Sequence, residues 1–264
     1  MPPTTLHLMD KRQLLIAVVG GGVTLFAGVA AGNTIKTRQR EKERGLGGAA
    51  VWDDPGTAAK YDDLVSRDER MLSITKERTR LCSQATGHVL EVGAGTGRNL
   101  DGYAAAPVPP ASLTLCDASP AMLSAAARKL APFPPPISTA KLVKADTSEL
   151  PFDSAAFQTV VETFGLCSTS RPSLALDEMV RVLSPGGTLL LLEHGESKNS
   201  IVNYFLEAGR ERHETRYGCD WKKDVRGLVD DAINRHGLRV EQGGDRHFGT
   251  TVWYVLKKPE VKGE

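Results

Sequence analysis

The eleven residues V-L-E-V-G-A-G-T-G-R-N, beginning at Val89, constrain the fold more than any other stretch. An apolar run ends there on a carboxylate and passes into three glycines set one residue apart. Glycines at 93, 95 and 97 permit positive φ and let backbone N–H groups approach a ligand that a Cβ would hold off. Glu91, at the carboxyl end of the run, is placed to accept hydrogen bonds from a cationic or hydroxyl group. A strand followed by such a loop predicts an α/β domain that holds a nucleotide-type ligand at its first turn. The dinucleotide fingerprint G-x-G-x-x-G fits less well, because its third glycine would fall at Arg98 and Glu91 would face a negative pyrophosphate.

From His88 onward, strand-type and helix-type patterns alternate, which implies a parallel sheet covered on both faces. The strands are expected at His88 to Val92, Ser112 to Cys116, Lys141 to Lys144, Phe157 to Glu162 and Thr188 to Leu192. Helices are expected between them, with Ser119-Pro120 capping one and Pro185-Gly186-Gly187 ending another. Ahead of the first strand, Asp53 to Arg80 carries helical spacing and predicts one or two helices. Helices over 201–214 and 223–236 are expected to precede an antiparallel edge formed by strands near Val240 and at Thr251 to Leu256.

Composition narrows the class. Hydrophobic residues at 41% and charged residues at 25% are ordinary for one globular domain of roughly 200 residues plus an extension. The formal charge of +1 gives no nucleic-acid signal. The four cysteines have neither C-x-x-C spacing nor a paired histidine pattern, so no metal site and no disulfide framework is expected.

The extension has a distinct character. Leu14 to Gly32 is about nineteen residues without a charge, near the length that crosses a bilayer as a helix. Gly20-Gly21-Gly22 would cost a helix of the soluble domain about 1 kcal/mol per glycine, which favours the membrane reading over a buried helix. Basic residues dominate the following flank, so the carboxyl-terminal domain is expected on the cytoplasmic or matrix side. The organisation expected is a tail over 1–13, a transmembrane anchor over 14–32, a linker over 33–50 and a domain over 51–264.

The loop at 91–97 resembles the first motif of the class I S-adenosylmethionine-dependent methyltransferases, (D/E)-x-G-x-G-x-G. The stretch E-M-V-R-V-L-S-P-G-G-T-L-L-L-L-E-H, ending at His194, is similar to the helix, turn and fifth strand of the ubiquinone/menaquinone-type members. Together the motifs cover about residues 60 to 258. A narrower likeness, to membrane-anchored methyltransferase-like proteins of the fungal mitochondrial inner membrane, comes from the anchor with F-G-L-C-S, L-L-E-H-G and Y-G-C-D-W. The animal thiol methyltransferases of the same type are a second branch. The resemblance implies a Rossmann-like, seven-stranded sheet with helices on both faces, preceded by a single transmembrane helix. The mitochondrial inner membrane is its first implied location and the endoplasmic reticulum its second.

Site residues follow from both readings. Asp117, about twenty residues after Gly97 at the end of the second strand, suits a ribose in either ligand. The resemblance assigns Asp146 to an adenine amino group, with Ala145 or Thr147 beside it; the residue-level alternative is a turn cap. The full cofactor set expected is Glu91, Gly93, Ala94, Gly95, Thr96, Gly97, Asn99, Asp117, Ala118, Met122, Asp146, Thr147 and Glu162. Glu162, Thr163, Phe164, Cys167, Glu193 and His194 form the expected acceptor wall. His194 is the candidate general base, against a structural strand-end role. Cys167 reads as a buried small side chain rather than a nucleophile. His213, Tyr217 and Trp221 are expected as a lid. A quinone-like, lipid, thiol or other small-molecule acceptor suits an anchored methyltransferase. Two other functions stay open: an anchored assembly or scaffold factor without turnover, and a nicotinamide-dependent reductase. Oligomeric state is not readable.

Overall fold

A computed structural model of the chain describes residues 52–260. The tail, anchor and linker expected over 1–50 lie outside the described residues. Among the described residues no helix is long and apolar enough to cross a membrane.

Two helices come first, α1 over Pro55–Met71 and α2 over Ile74–Cys82. Asp54 starts α1 by accepting the Thr57 N–H at 2.7 Å, with Pro55 at the first helical position. Strand β1 (His88–Val92), helix α3 (Leu100–Ala104), β2 (Ser112–Asp117), α4 (Pro120–Leu130) and β3 (Lys141–Lys144) follow. The cap expected at Ser119-Pro120 is present, with the serine oxygen accepting from the Met122 N–H at 3.2 Å. Beyond β3 lie β4 (Phe157–Thr163), α5 (Pro172–Val182), β5 (Leu183–His194), α6 (Ser200–Tyr217), α7 (Val225–His236), β6 (Arg239–Arg246) and β7 (Thr251–Lys257).

The sheet order is β3-β2-β1-β4-β5-β7-β6. Strands β1 to β5 are parallel, and β7 runs antiparallel between β5 and β6. The order reverses between β1 and β4, and a crevice opens at such a switch point beyond the carboxyl ends of the strands. The glycine loop leaves β1 at that point.

One boundary differs from expectation. Pro185-Gly186-Gly187 does not separate α5 from β5; Leu183 already pairs with Phe157, and Thr188 pairs with Thr159. Five residues of β5 therefore span two of β4, and the turn bulges out from a strand that has begun. Gly186 supplies the positive φ of 71° that this bulge needs.

Alternation along the central strands divides the core. Leu90, Val92, Val160, Leu189 and Leu191 face α5 and α7, packing with Leu176, Met179 and Val229. Val89, Leu113, Leu115, Val161, Leu190 and Leu192 face the other way and pack with Leu81 of α2, Tyr103 of α3 and Ala126 of α4. Each fully buried leucine contributes about 1.5–3 kcal/mol relative to exposure. The same alternation sends Glu91 to the α2–α3 face, beneath Tyr103.

Candidate functional site

A cavity of about 610 Å³ lies over the carboxyl ends of β1, β2, β4 and β5. Its size and partly apolar lining are ordinary for a small-molecule site. One wall is the glycine loop. Gly93 and Gly95 line the cavity with φ of 65° and 53°. Beyond its chain neighbours, nothing stands within 4 Å of where a Gly95 Cβ would be, so that side of the loop is open space.

Asp117 closes this wall. Its carboxylate accepts the Gly95 N–H at 2.7 Å and the Ser119 N–H at 2.8 Å. Burial pushes its carboxyl above the ordinary range, partly offset by those two donors. Ala118, Met122, Asp146 and Thr147, all in the expected set, continue the lining. Asp146 also has the turn-cap role: Oδ1 accepts the Ser148 N–H at 2.8 Å, and Oδ2 pairs with Arg171 at 2.9 Å. Hydrogen bonds from Ser148 hold its carboxyl below the usual range. The Arg171 pair is half exposed on both sides and is worth at most about 1 kcal/mol, so Oδ2 is cheaply released to another partner.

Six of the expected residues stand behind the wall instead of on it. Glu91 is 1% exposed, accepting Asn99 Nδ2 at 2.9 Å and the Tyr103 hydroxyl at 2.7 Å. Strand alternation turned its carboxylate away from the crevice, and burial raises it to about 7. Asn99 spends its oxygen on Arg78 at 3.1 Å. Thr96 donates its hydroxyl to Asp62 at 2.7 Å, and a Cβ on Gly97 would press on Leu100 and Ala126. Ala94 and Glu162 are buried and absent from the lining. These positions hold the shape of the loop rather than its free surface.

Arg98, which spoils the dinucleotide spacing, has its own employment. It pairs with Asp62 at 3.0 Å and Glu69 at 2.8 Å, tying the loop to α1. Lys129 adds a further ion pair to Asp62.

The second wall comes from β4, β5 and α6. Of the six residues expected on the acceptor side, Thr163, Phe164, Cys167 and His194 line the cavity, and His213, Tyr217 and Trp221 line it too. The His213 and Trp221 rings stack with centroids 3.9 Å apart. His194 packs on Phe164 at 4.2 Å between centroids. Glu162 and Glu193 lie beneath this wall rather than in it. Gly165 and Leu166 direct their N–H groups at the Oε1 atoms of both, while both Oε2 atoms are buried without a partner. Burial, then the neighbouring Glu193, holds the Glu162 carboxyl well above the ordinary range. A Cβ at Gly165 would press on Glu162 Oε1 and force that side chain to shift.

Two groups escaped the sequence reading. The first is Arg78, which is 5% exposed and reaches across the site. It pairs with Glu69 at 2.8 Å, donates to Thr163 Oγ1 at 2.6 Å and covers the Phe164 ring at 4.6 Å. Its helix is rich in charges, and nothing in that pattern distinguishes the buried arginine from its solvated neighbours. The second is a cluster of sulfur and imidazole. Linear spacing gives no metal pattern, but the fold gathers Cys167, His194 and Cys219 so that one donor atom of each lies within 4.8 Å of the others. The Cys219 thiol donates to Cys167 Sγ at 2.9 Å, and His194 Nδ1 is 3.9 Å from Cys219 Sγ. The Cys219 contact, then burial, raises the Cys167 thiol well above its usual value, which fits the expectation that it is no free nucleophile.

Comparison with known proteins agrees with this geometry. Residues 90–191 match the family described as a methyltransferase domain. The mitochondrial methyltransferase OMS1 of Saccharomyces cerevisiae is 29% identical over 215 residues, covering 76% of this chain and 44% of that protein. Demethylmenaquinone methyltransferase of Renibacterium salmoninarum is 36% identical over 170 residues, covering 61% of this chain and 66% of that protein. The chain thus spans about half to two thirds of the length of these relatives. In structure, it is similar to the methyltransferase partner of the Trm112 activator from Haloferax volcanii, with a TM-score of 0.60 at 19% identity over 81% of this chain and all of that one.

Proposed function

We propose that this chain, which carries a class I methyltransferase domain, transfers a methyl group from S-adenosylmethionine to an acceptor held over β4 and β5. The observation that carries the reading is the glycine turn itself: Gly95 gives its N–H to the half-buried Asp117 carboxylate, and the place its Cβ would take is open space in the cavity wall. In this reading Gly93, Gly95, Asp117, Ala118, Met122, Asp146 and Thr147 hold the cofactor. Asp117 accepts from ribose hydroxyls and Asp146 from the adenine amino group. When bound, the cofactor supplies an electrophilic methyl on a sulfonium, and displacement is fastest with the nucleophile in line at about 3 Å.

Residues of the second wall do the positioning. Phe164, Cys167, His194 and Trp221 present a mostly apolar surface to the acceptor. Arg78 fixes Thr163 and Phe164 relative to the loop. His194 faces the cavity from the end of β5, and a base is required only for an acceptor that arrives protonated. An apolar acceptor, such as a quinone precursor, a lipid or a thiol, suits this wall. The apolar segment Leu14 to Gly32 supports an anchored protein that meets such an acceptor at a bilayer. The mitochondrial location of the yeast relative favours mitochondria over the endoplasmic reticulum.

The test uses the full chain in detergent or membranes. Calorimetry is expected to show one S-adenosylmethionine per chain, and methyl-labelled cofactor is expected to label an extractable small molecule. Absence of cofactor binding by a folded chain rejects the reading. Binding with no labelled product in any fraction leaves the assembly-factor role in its place.

A further inference from the structure

Cys167, His194 and Cys219 stand on three separate segments: the turn after β4, the end of β5 and the loop after α6. In sequence they are 25 to 52 residues apart, and the fold brings them to one spot on the cavity wall. Both cysteines are buried and the imidazole is half-buried, so water competes poorly for their donor atoms. We propose that these three side chains form a site for a thiophilic divalent cation, zinc above all, with its fourth coordination position facing the cavity.

The donor set is the ground for this choice. Two thiolates and one imidazole match a three-ligand zinc site that keeps one position open, and hard cations such as magnesium or calcium take oxygen ligands instead. Two sulfurs on one tetrahedral zinc, each at about 2.3 Å, stand about 3.8 Å apart. The present 2.9 Å lies between that separation and the roughly 2.05 Å of a disulfide bond. The third ligand decides between them. A disulfide would use neither His194 nor the open side of the cluster, whereas a metal uses both.

The surroundings also fix one of the ligands. Glu162 Oε1 and Glu193 Oε1 accept the Gly165 and Leu166 N–H groups, and the Lys223 ammonium ties the carbonyls of Leu166, Cys167 and Thr169 at 2.7–3.1 Å. The turn that carries Cys167 is thus held from both sides, and partners behind a metal's ligands that fix their orientation strengthen its binding. Loading is balanced by loss of the two thiol protons to solvent, one each from Cys167 and Cys219, as the zinc ion enters. His194 then serves as a ligand through its lone pair and is not free to act as a base.

This inference concerns the acceptor side of the proposed methyltransferase, but its test does not need turnover. The full chain, reduced with a non-thiol reductant, is equilibrated with zinc, freed of excess and analysed for metal by mass spectrometry. About one zinc per chain is expected. Cobalt in its place is expected to give thiolate charge-transfer absorption and the visible bands of a tetrahedral site. Competition with a chromophoric chelator is expected to show at least about tenfold weaker binding in Cys167→Ser, Cys219→Ser and His194→Ala, and none in Cys116→Ala, which lies outside the cluster. Melting and S-adenosylmethionine binding, measured on each variant, separate loss of the site from loss of the fold. Less than about a tenth of a zinc per chain in a protein that still binds S-adenosylmethionine overturns the metal site and leaves the methyltransferase reading standing. A Cys167–Cys219 disulfide that persists under the reductant and excludes zinc overturns it as well. Failure of wild type to bind S-adenosylmethionine, with zinc retained, rejects the methyltransferase reading alone.

Discussion

The cavity has two walls of different construction. On the β1–β2 side the ligand meets mostly backbone: glycines 93 and 95, then the strand-end acid Asp117 and the cap of α4, all within 30 residues of one another. On the β4–β5 side it meets side chains, fixed by contacts such as Arg78 to Thr163, 85 residues apart, and Cys219 to His194, 25 apart. A wall of backbone can be written as a short motif because its requirement is the absence of Cβ atoms at set spacings. A wall of distant side chains has no linear signature. The difference also separates their tasks: the first wall suits a ligand of fixed shape, and the second is joined to it through Arg78, which reaches Asn99 and Thr163.

The largest effect that tests this division falls on the first wall. Gly95→Arg is expected to weaken S-adenosylmethionine binding at least about 100-fold, close to 3 kcal/mol, because its side chain enters open cavity. The positive φ adds a strain of about 1 kcal/mol, a shift of about 2–4 °C in melting. A much larger melting loss would show that the loop is structural before it is a binding surface. The next effect tests the joint between the walls. Arg78→Ala leaves Glu69 with Arg98 as its remaining partner, strips the Asn99 oxygen of its donor and leaves Thr163 Oγ1 with Asn99 Nδ2 alone. A loss of about 3 kcal/mol in urea unfolding is expected, and a loss under 1 kcal/mol would mean that the walls are independent.

The smallest effect is a pH dependence behind the first wall. The Glu91 carboxyl is raised from an ordinary 4.5 to about 7, so the folded state holds its proton where the unfolded chain has released it. Its contribution is fully present below about pH 4.5 and is lost as pH rises toward 7, then levels off. Comparing urea midpoints between about pH 5 and 7, Glu91→Gln is expected to remove about 2 kcal/mol of that decline. Identical slopes in wild type and variant would put Glu91 in a solvated setting and return it to the ligand surface.

The parallel strands, the Ser119-Pro120 cap and the antiparallel edge were legible because each depends on local pattern: alternation, cap chemistry or a continuous apolar run. Gly93, Gly95 and Asp117, picked out by spacing, and Asp146, picked out by the resemblance, line the cavity. Glu91 was misdirected because a motif records where a residue falls along a strand, while the face it takes depends on the pleat. Glu162 followed Glu91 for the same cause, its carboxyl turned under the Gly165 turn rather than into the crevice. Arg78 and the sulfur cluster were invisible because burial of a charged helix residue, or the meeting of two thiols 52 residues apart, depends on tertiary packing alone.

Strand β7 lies inside the sheet although it is the last of the seven to be synthesised. Until Thr251–Lys257 leaves the ribosome, β6 has no neighbour, and the leucine-rich outer edge of β5 is unpaired along Thr188 to His194. The nascent chain can therefore assemble its glycine-loop half early, while the half bearing His194 waits for its final strand. An open edge of this kind invites pairing with other chains. Translation that stalls before Thr251 would leave a product with its glycine-loop half paired and its β5 edge open to aggregation.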